Sequence, residues 1–298
     1  MGNHGNAFLS FMASADRGVF MGGSDGSASN IMDYIEIGTL GNATDFGDLT
    51  AACRNSQGNV NSDTRGCYGG GIRSAAYTNV IDYITIATIG NATDFGDLTV
   101  ARYAVAGCNS DVRGVFCGGN DDVARNVLDY ITIASVGNAT DFGDLSPASY
   151  PCFACNSDTR GIIGGGDATF IDYITIASAG NSTDFGNLSY GKSNGGMAVN
   201  SDTRGVIALG YSTGDVVTNV IEYITIATTG NATDFGDLTV ARGQGAGVNS
   251  DTRGIFGGGD TPNSNVLDYV TIASTGNATD FGDLTLARFG LGGVNNGL

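Results

Sequence analysis

The chain has 298 residues, of which 49 are Gly, 3 are Pro and none is Trp, and its formal net charge is −17 at pH 7. The Gly share is more than twice the usual value of about 7%, which excludes a helical bundle or a coiled coil. The negative charge argues against a nucleic-acid partner, because such binding depends on clustered Lys and Arg. No apolar run approaches the roughly 20 residues that span a bilayer, so we expect no membrane insertion.

One sequence unit recurs six times along the chain. It ends in GNATDFGDL or a close variant, which begins at Gly41, Gly90, Gly137, Gly180, Gly230 and Gly276. An Asp shortly before Arg-Gly and an acidic residue before Tyr recur with the same period of 43 to 50 residues. The repeat covers the chain and leaves no room for a second domain.

Each unit is predicted to contain four short strands, A to D. In the last complete unit they span Gln244–Asn249, Arg253–Gly258, Asn265–Ser274 and Asp280–Leu286. Strand C carries apolar residues on both of its faces, which is typical of a sheet covered on both sides. Six such units predict an all-β protein, a six-bladed β-propeller with four antiparallel strands per blade. An open solenoid is the alternative.

The chain contains one inner strand too many. Residues Phe8–Ala15 align with strand A of the first unit, but Phe289–Asn296 resemble the other copies better. We therefore predict that residues 14–298 form the propeller and that its last strand closes the first blade. Residues 1–13 would be an N-terminal extension, available for docking or for an oligomer, and they lack the features of a signal peptide.

The units resemble the kelch repeat. They share with it a Gly doublet after strand B, a Tyr in strand C and an Arg after strand D, seen at Arg54, Arg102, Arg242 and Arg288. Phe replaces the usual strand-D Trp in every unit, and the fifth unit keeps only Gly210 of its doublet. More narrowly, N-x-I-D-Y-I-T-I-A-T-x-G-N-A-T-D-F-G-D-L-T resembles tandem repeats in virion and tail-fibre-like proteins of marine cyanophages. That resemblance implies a virion protein assembled in the host cytoplasm.

Antiparallel connections sort the loops onto two faces of the propeller. The A–B and C–D turns are nearly invariant and form what we call the repeated face. The B–C and D–A loops differ between units and form the variable face. Because binding residues concentrate on loops held by a rigid scaffold, we predict a partner-binding surface on the variable face. Its candidate residues are Arg73, Tyr77, Tyr103, Arg125, Tyr150, Phe170, Tyr190, Lys192 and Tyr211. The alternative is that the loop tyrosines only cover neighbouring blades.

The sequence gives little support for catalysis. His4 is the only histidine and lies outside the repeat, so we expect neither a histidine-based triad nor a His-ligated metal site. The carboxylates recur around the ring, whereas an active site normally breaks such symmetry. We therefore predict a protein that is not an enzyme and has no cofactor. The six turn Asp residues are expected to pair with the nearby Arg; a ring of oxygens that holds Ca²⁺ is the alternative.

The chain contains six cysteines. Cys152 and Cys155 have no second pair that would complete a zinc site, and several cysteines stand where other units have Val or Ile. We expect free, buried thiols.

Taken together, these features predict a non-enzymatic virion structural or tail-fibre-like protein. Its variable face would contact other virion proteins, or a protein or glycan of the host surface. An intracellular kelch-like adaptor that binds proteins is the alternative.

Overall fold

A computed structural model describes residues 16–150, 153–166, 168–189, 195–212 and 214–296. All regular structure in these ranges is β-strand, arranged in six four-stranded antiparallel sheets and two small two-stranded ones. Each four-stranded sheet is one blade of a six-bladed β-propeller, which confirms the predicted fold class. Within the same ranges, no helix has the length and apolar character needed to cross a membrane. Residues 1–13, the predicted extension, lie outside the described residues.

The strands are numbered in chain order and given for each blade from the inside outwards. Blade 1 contains β28 (Gly292–Asn295), β1 (Arg17–Met21), β2 (Ser29–Glu36) and β3 (Thr44–Cys53). Blade 2 contains β4 (Asn59–Asn61), β5 (Arg65–Gly69), β8 (Val80–Thr85) and β9 (Thr93–Asp97). Its B–C loop forms a hairpin of β6 (Ile72–Arg73) and β7 (Ala76–Tyr77). Blade 3 contains β10 (Ala106–Asn109), β11 (Arg113–Cys117), β12 (Val127–Thr132) and β13 (Thr140–Asp144).

Blades 4 to 6 follow the same plan. Blade 4 contains β14 (Phe153–Asn156), β15 (Arg160–Gly164), β16 (Phe170–Thr175) and β17 (Thr183–Asn187). Blade 5 contains β18 (Met197–Asn200), β19 (Arg204–Ala208), β22 (Val220–Thr225) and β23 (Thr233–Asp237). Its B–C loop forms a second hairpin, β20 (Tyr211–Ser212) and β21 (Val216–Val217). Blade 6 contains β24 (Ala246–Asn249), β25 (Arg253–Gly257), β26 (Val266–Thr271) and β27 (Thr279–Asp283).

The last strand of the chain lies at the inner edge of the first blade. β28 pairs antiparallel with β1, with Val294 opposite Val19. The side chain of Val294 is fully buried and packs against Gly66 of blade 2. β28 therefore joins the two ends of the repeat and also contacts the next blade.

The hydrophobic core is divided into six layers, one between each pair of neighbouring blades. In one layer, Phe20 and Ile35 of blade 1 pack with Val248, Ile255 and Leu267 of blade 6. The five other layers combine two adjacent blades in the same way. No blade buries its apolar faces alone, so the blades stabilise one another around the ring.

A second contact joins the outer strand of each blade to the C–D turn of the next. The backbone N–H of Asp97 in blade 2 donates to Oδ1 of Asn138 in blade 3 at 3.1 Å, and the N–H of Gly137 donates to the carbonyl of Phe95 at 2.8 Å. The equivalent Asn bond recurs at all six junctions. These Asn side chains match a glycosylation sequon, but here they serve as hydrogen-bond acceptors between blades.

The close approach at this contact requires a glycine. Gly96 has a φ of +145°, and a Cβ on it would lie 2.5 Å from the carbonyl oxygen of Gly137. We expect Gly96→Ala to lower the free energy of unfolding by about 2–3 kcal/mol, through backbone strain and overpacking. Gly90→Ala is the control, because a Cβ there meets no atom within 4 Å. Urea denaturation of the two variants checks this, and equal losses would contradict it.

Candidate functional site

The Arg residues that begin strand B of each blade form a ring of contacts between blades. They are Arg17, Arg65, Arg113, Arg160, Arg204 and Arg253. Each guanidinium lies 4.4–4.8 Å from the ring centre of the strand-C Tyr in its own blade. Each also donates to a backbone carbonyl of the next blade, as Arg65 does to Ile133 at 2.7 Å. The ring closes where Arg253 of blade 6 donates to Ile37 of blade 1 at 2.9 Å.

The expected pairing of these Arg residues with the turn Asp residues is therefore wrong, because no such ion pair forms within the described residues. In the same ranges, Arg17 alone of this set bonds a carboxylate, and its partner is Glu36 in strand C of blade 1, at 2.8 Å. The strand register is the reason, since Arg253 lies opposite Thr271 and its side chain shares a face with Tyr269. The guanidinium of Arg253 therefore packs on the ring of Tyr269.

The acidic residues of strand C take part in a different set of buried bonds. Asp129 of blade 3 accepts from Arg102 at 2.8 Å and from the Thr99 hydroxyl at 2.6 Å, both from the chain segment that follows blade 2. The side chains of Arg102 and Asp129 are fully buried. Equivalent pairs join Arg242 to Asp268 and Arg288 to Asp33.

Asp172 of blade 4 differs, because no Arg bonds its carboxylate within the described ranges. Its Oδ2 accepts from the Ser182 hydroxyl at 2.5 Å. Burial raises the pKa of Asp172, although the hydrogen bonds from Ser182 and from the Ser146 backbone act in the opposite direction.

The raised pKa of Asp172 predicts how stability depends on pH. A carboxyl group whose pKa is raised in the folded state stabilises the fold when it is protonated. This contribution to the free energy of unfolding is complete below the pKa of the unfolded chain, about 3.9, and is lost as the pH rises through the pKa of the folded state. Asp172→Asn cannot titrate. The stability of the wild type relative to this variant should therefore decrease as the pH rises from about 4 towards neutrality. Urea denaturation across this range is the measurement, and a constant difference would contradict the expectation.

The turn Asp residues form an acidic rim on the repeated face. Burial and the carboxylates of Asp63, Asp158 and Asp202 raise the pKa of Asp111. Above this rim, the strand-A Asn residues bond one another from blade to blade, as when the Asn109 N–H donates to Asn156 Oδ1 at 3.1 Å. In the described part of the chain, no three His, Cys, Asp or Glu side chains are grouped so as to hold a metal ion.

The cysteine thiols belong to the core. The five described cysteines are free and buried, as predicted: Cys53, Cys67, Cys108, Cys117 and Cys155. Burial raises the pKa of Cys67 to about 12, so its thiol stays protonated at neutral pH. Cys152 lies outside the described residues.

On the variable face, Tyr77 and Tyr103 meet across the junction of blades 2 and 3. Their rings stack with centres 5.3 Å apart and planes at 24°. The Tyr77 hydroxyl donates to Oδ1 of Asp122 at 2.6 Å, and this hydrogen bond raises the pKa of Tyr77 to about 12. Beside them, Arg125 donates to both carboxylate oxygens of Asp121, each at 2.6 Å, which lowers the pKa of Asp121.

A similar contact lies three blades away, at the junction of blades 5 and 6. The Tyr211 hydroxyl lies 2.7 Å from Oδ1 of Asp260 and 2.7 Å from the hydroxyl of Thr261. Gln244 donates to the other oxygen of Asp260 at 3.0 Å. Burial, more than any other cause, raises the pKa of Tyr211 to about 12. Both contacts therefore join the B–C loop of one blade to that of the next.

The other described candidate residues take no part in these two contacts. Arg73 bonds the buried carboxylate of Asp82 at 2.8 Å, which commits its guanidinium to the scaffold. Phe170 begins β16 and is half-buried, and Tyr150 is half-buried in the segment before blade 4. Tyr190 and Lys192 lie outside the described residues.

Sequence reasoning missed the acidic partners of the loop tyrosines, Asp122 and Asp260, and also Thr261. Asp122 and Thr261 have positive φ values of 86° and 68°. That conformation is uncommon for residues other than Gly, so it cannot be read from residue type alone. The available signal was alignment of the units, because Asp122 stands where blade 1 has Gly26.

A small cavity of about 60 Å³, lined by described residues, lies at the centre of the variable face. It is lined by inner-strand residues and the segments before them, including Gln57, Asn59, Phe153, Met197 and Leu291. Oδ1 of Asn59 is buried there without a hydrogen-bond partner.

The fold and the contacts between blades define a six-bladed β-propeller repeat protein, with a repeated scaffold face and a variable face. No known family model matches this chain, and no curated protein sequence matches it.

Proposed function

We propose that this protein is a non-enzymatic structural or tail-fibre-like component of a phage virion, whose variable face makes recognition or assembly contacts. The observation that carries the proposal is the division of polar groups between the two faces. The side chains that recur in every unit bond neighbouring blades: the strand-B Arg, the Asn of the C–D turn and the acidic residue of strand C. The Tyr and Asp side chains that differ between units lie on the variable face.

The sequence of the unit supports the viral assignment. The kelch-like strand-C Tyr and close variants of the cyanophage-like string run through all six units, while the Gly doublet is kept in five units and the Arg after strand D in four. The net charge of −17 would keep neighbouring copies soluble during assembly in the host cytoplasm. The partners would be other virion proteins or a protein or glycan on the host surface.

Labelling of purified particles tests this proposal. Antibodies raised against the recombinant propeller should decorate intact particles at a constant position in immunogold electron microscopy. Mass spectrometry should find the chain in the same particles after density-gradient purification. The chain in the cell lysate with none in the particles would contradict the proposal and favour the intracellular adaptor.

A further inference from the structure

Two B–C loops of the variable face share one backbone but carry different side chains. The loops Ser24–Ser29 of blade 1 and Asn120–Arg125 of blade 3 both form an isolated β-bridge between their first and fifth residues. Both also pair, through the first residue, with the chain segment that precedes the blade. At the third position blade 1 has Gly26, with a φ of +128°, and blade 3 has Asp122, with a φ of +86°.

The loop backbone does not require the side chains of blade 3. Gly adopts positive φ without strain, whereas residues that carry a Cβ adopt it less readily. Blade 3 therefore carries Asp122 at a cost that blade 1 avoids. Strained residues of this kind cluster at functional sites, so the groups around Asp122 are candidates for a binding site.

Those groups form a preorganised platform. Asn120 holds the Asp122 backbone, accepting its N–H at 2.8 Å, and Asp122 in turn accepts the hydroxyl of Tyr77. Tyr77, whose ring is stacked on Tyr103, remains 37% exposed. Next to Asp122, Val123 is 56% exposed where blade 1 has Ser27. We call Tyr77, Tyr103, Asp122, Val123 and Arg125 the blade 2/3 platform.

We propose that the blade 2/3 platform binds a neutral sugar ring of a surface glycan, an inference that rests on the proposed role in recognition. Tyr77 is 37% exposed, and its aromatic ring can pack against the C–H groups of a pyranose. The exposed carboxylate of Asp122 and the guanidinium of Arg125 can hydrogen-bond its hydroxyl groups, and charged groups make the stronger bonds.

The composition of the platform favours a glycan over a protein. One partly exposed ring and one valine supply little of the roughly 800 Å² that each partner buries in a stable protein interface. The adjacent carboxylates of Asp121 and Asp122, on a chain of charge −17, disfavour acidic sugars. A small, polar and rigid aromatic surface suits a single neutral sugar unit.

A glycan array followed by calorimetry tests the proposal. Full-length protein should bind arrays of neutral hexose-containing glycans. Tyr77→Ala and Asp122→Gly should each weaken the best binder at least tenfold, about 1.4 kcal/mol. Asp122→Gly restores the residue of blade 1, so its melting temperature should equal or exceed that of the wild type. Ser27→Ala, on the matching loop of blade 1, is the control that keeps full binding.

Three results would overturn the glycan proposal: no neutral glycan is bound, binding survives both platform substitutions, or the substitutions abolish attachment to a protein partner instead. Attachment to a protein partner would contradict the glycan proposal but agree with the proposed function. The proposed function is contradicted by a different result, which is that purified particles lack the chain.

Discussion

A chain that ends at Leu291 is expected to lose its stable fold. The truncation removes β28, and with it the fully buried Val294 and the pairing to β1. Burial of one Val contributes about 1.5–3 kcal/mol and each backbone hydrogen bond about 1 kcal/mol, so the loss exceeds about 5 kcal/mol. A loss of that size approaches the total stability of an ordinary domain. Circular dichroism during heating should show a much lower or absent transition.

The exposed edge of β1 gives this prediction a second observable. An unpaired strand edge associates with other chains, so light scattering should show aggregation of the truncated protein. A synthetic peptide with the sequence of residues 289–296 should restore the transition by adding the missing strand. A control chain that ends at Asn296 keeps every described strand. Equal melting temperatures for the two truncated chains would show that β28 does not close the ring.

Arg102→Met is expected to lower the free energy of unfolding by about 3–5 kcal/mol, because it leaves the buried carboxylate of Asp129 without its cation. The guanidinium also donates to the carbonyl of Gly118 at 2.7 Å, so this acceptor loses its bond as well. Urea denaturation of the two proteins measures the difference.

A double-mutant cycle separates the ion pair from simple loss of packing. Arg102→Met with Asp129→Leu replaces both charges by apolar groups, and such exchanges are often close to neutral. The double variant should therefore be more stable than Arg102→Met alone. Additive losses would mean that the two side chains do not interact. The Arg242 and Asp268 pair at the junction of blades 5 and 6 offers an independent repetition of the cycle.

Much of the fold follows from the period of the sequence, but the strand ends do not. Strand A of blade 6 was predicted from Gln244 and begins at Ala246. Gln244 has a φ of +56° and its N–H bonds the carbonyl of Gly195 in a neighbouring segment. Strand D was predicted to Leu286 and ends at Asp283, which lies opposite Val266, the first residue of β26. Pairing with other segments of the chain therefore sets these ends.

The sequence predicts on which face the loop tyrosines lie, but it does not predict which side chains they contact. Alternation of repeated and variable loops placed Tyr77, Tyr103 and Tyr211 on one face, and the structure brings each against a neighbouring blade. The same reasoning placed Arg73 among the binding residues, although its guanidinium pairs with a buried carboxylate. Residue type gives the chemistry of a loop, but only the folded backbone shows which groups are already paired.

The most direct test of the account is a blocking experiment with antibody fragments directed at the two faces. Fragments that bind the B–C loops of blades 2 and 3 should prevent attachment of labelled propeller to host cells or particles. Fragments that bind the C–D turns of the repeated face should leave attachment unchanged. Blocking by the second set and not by the first would contradict the assignment of recognition to the variable face.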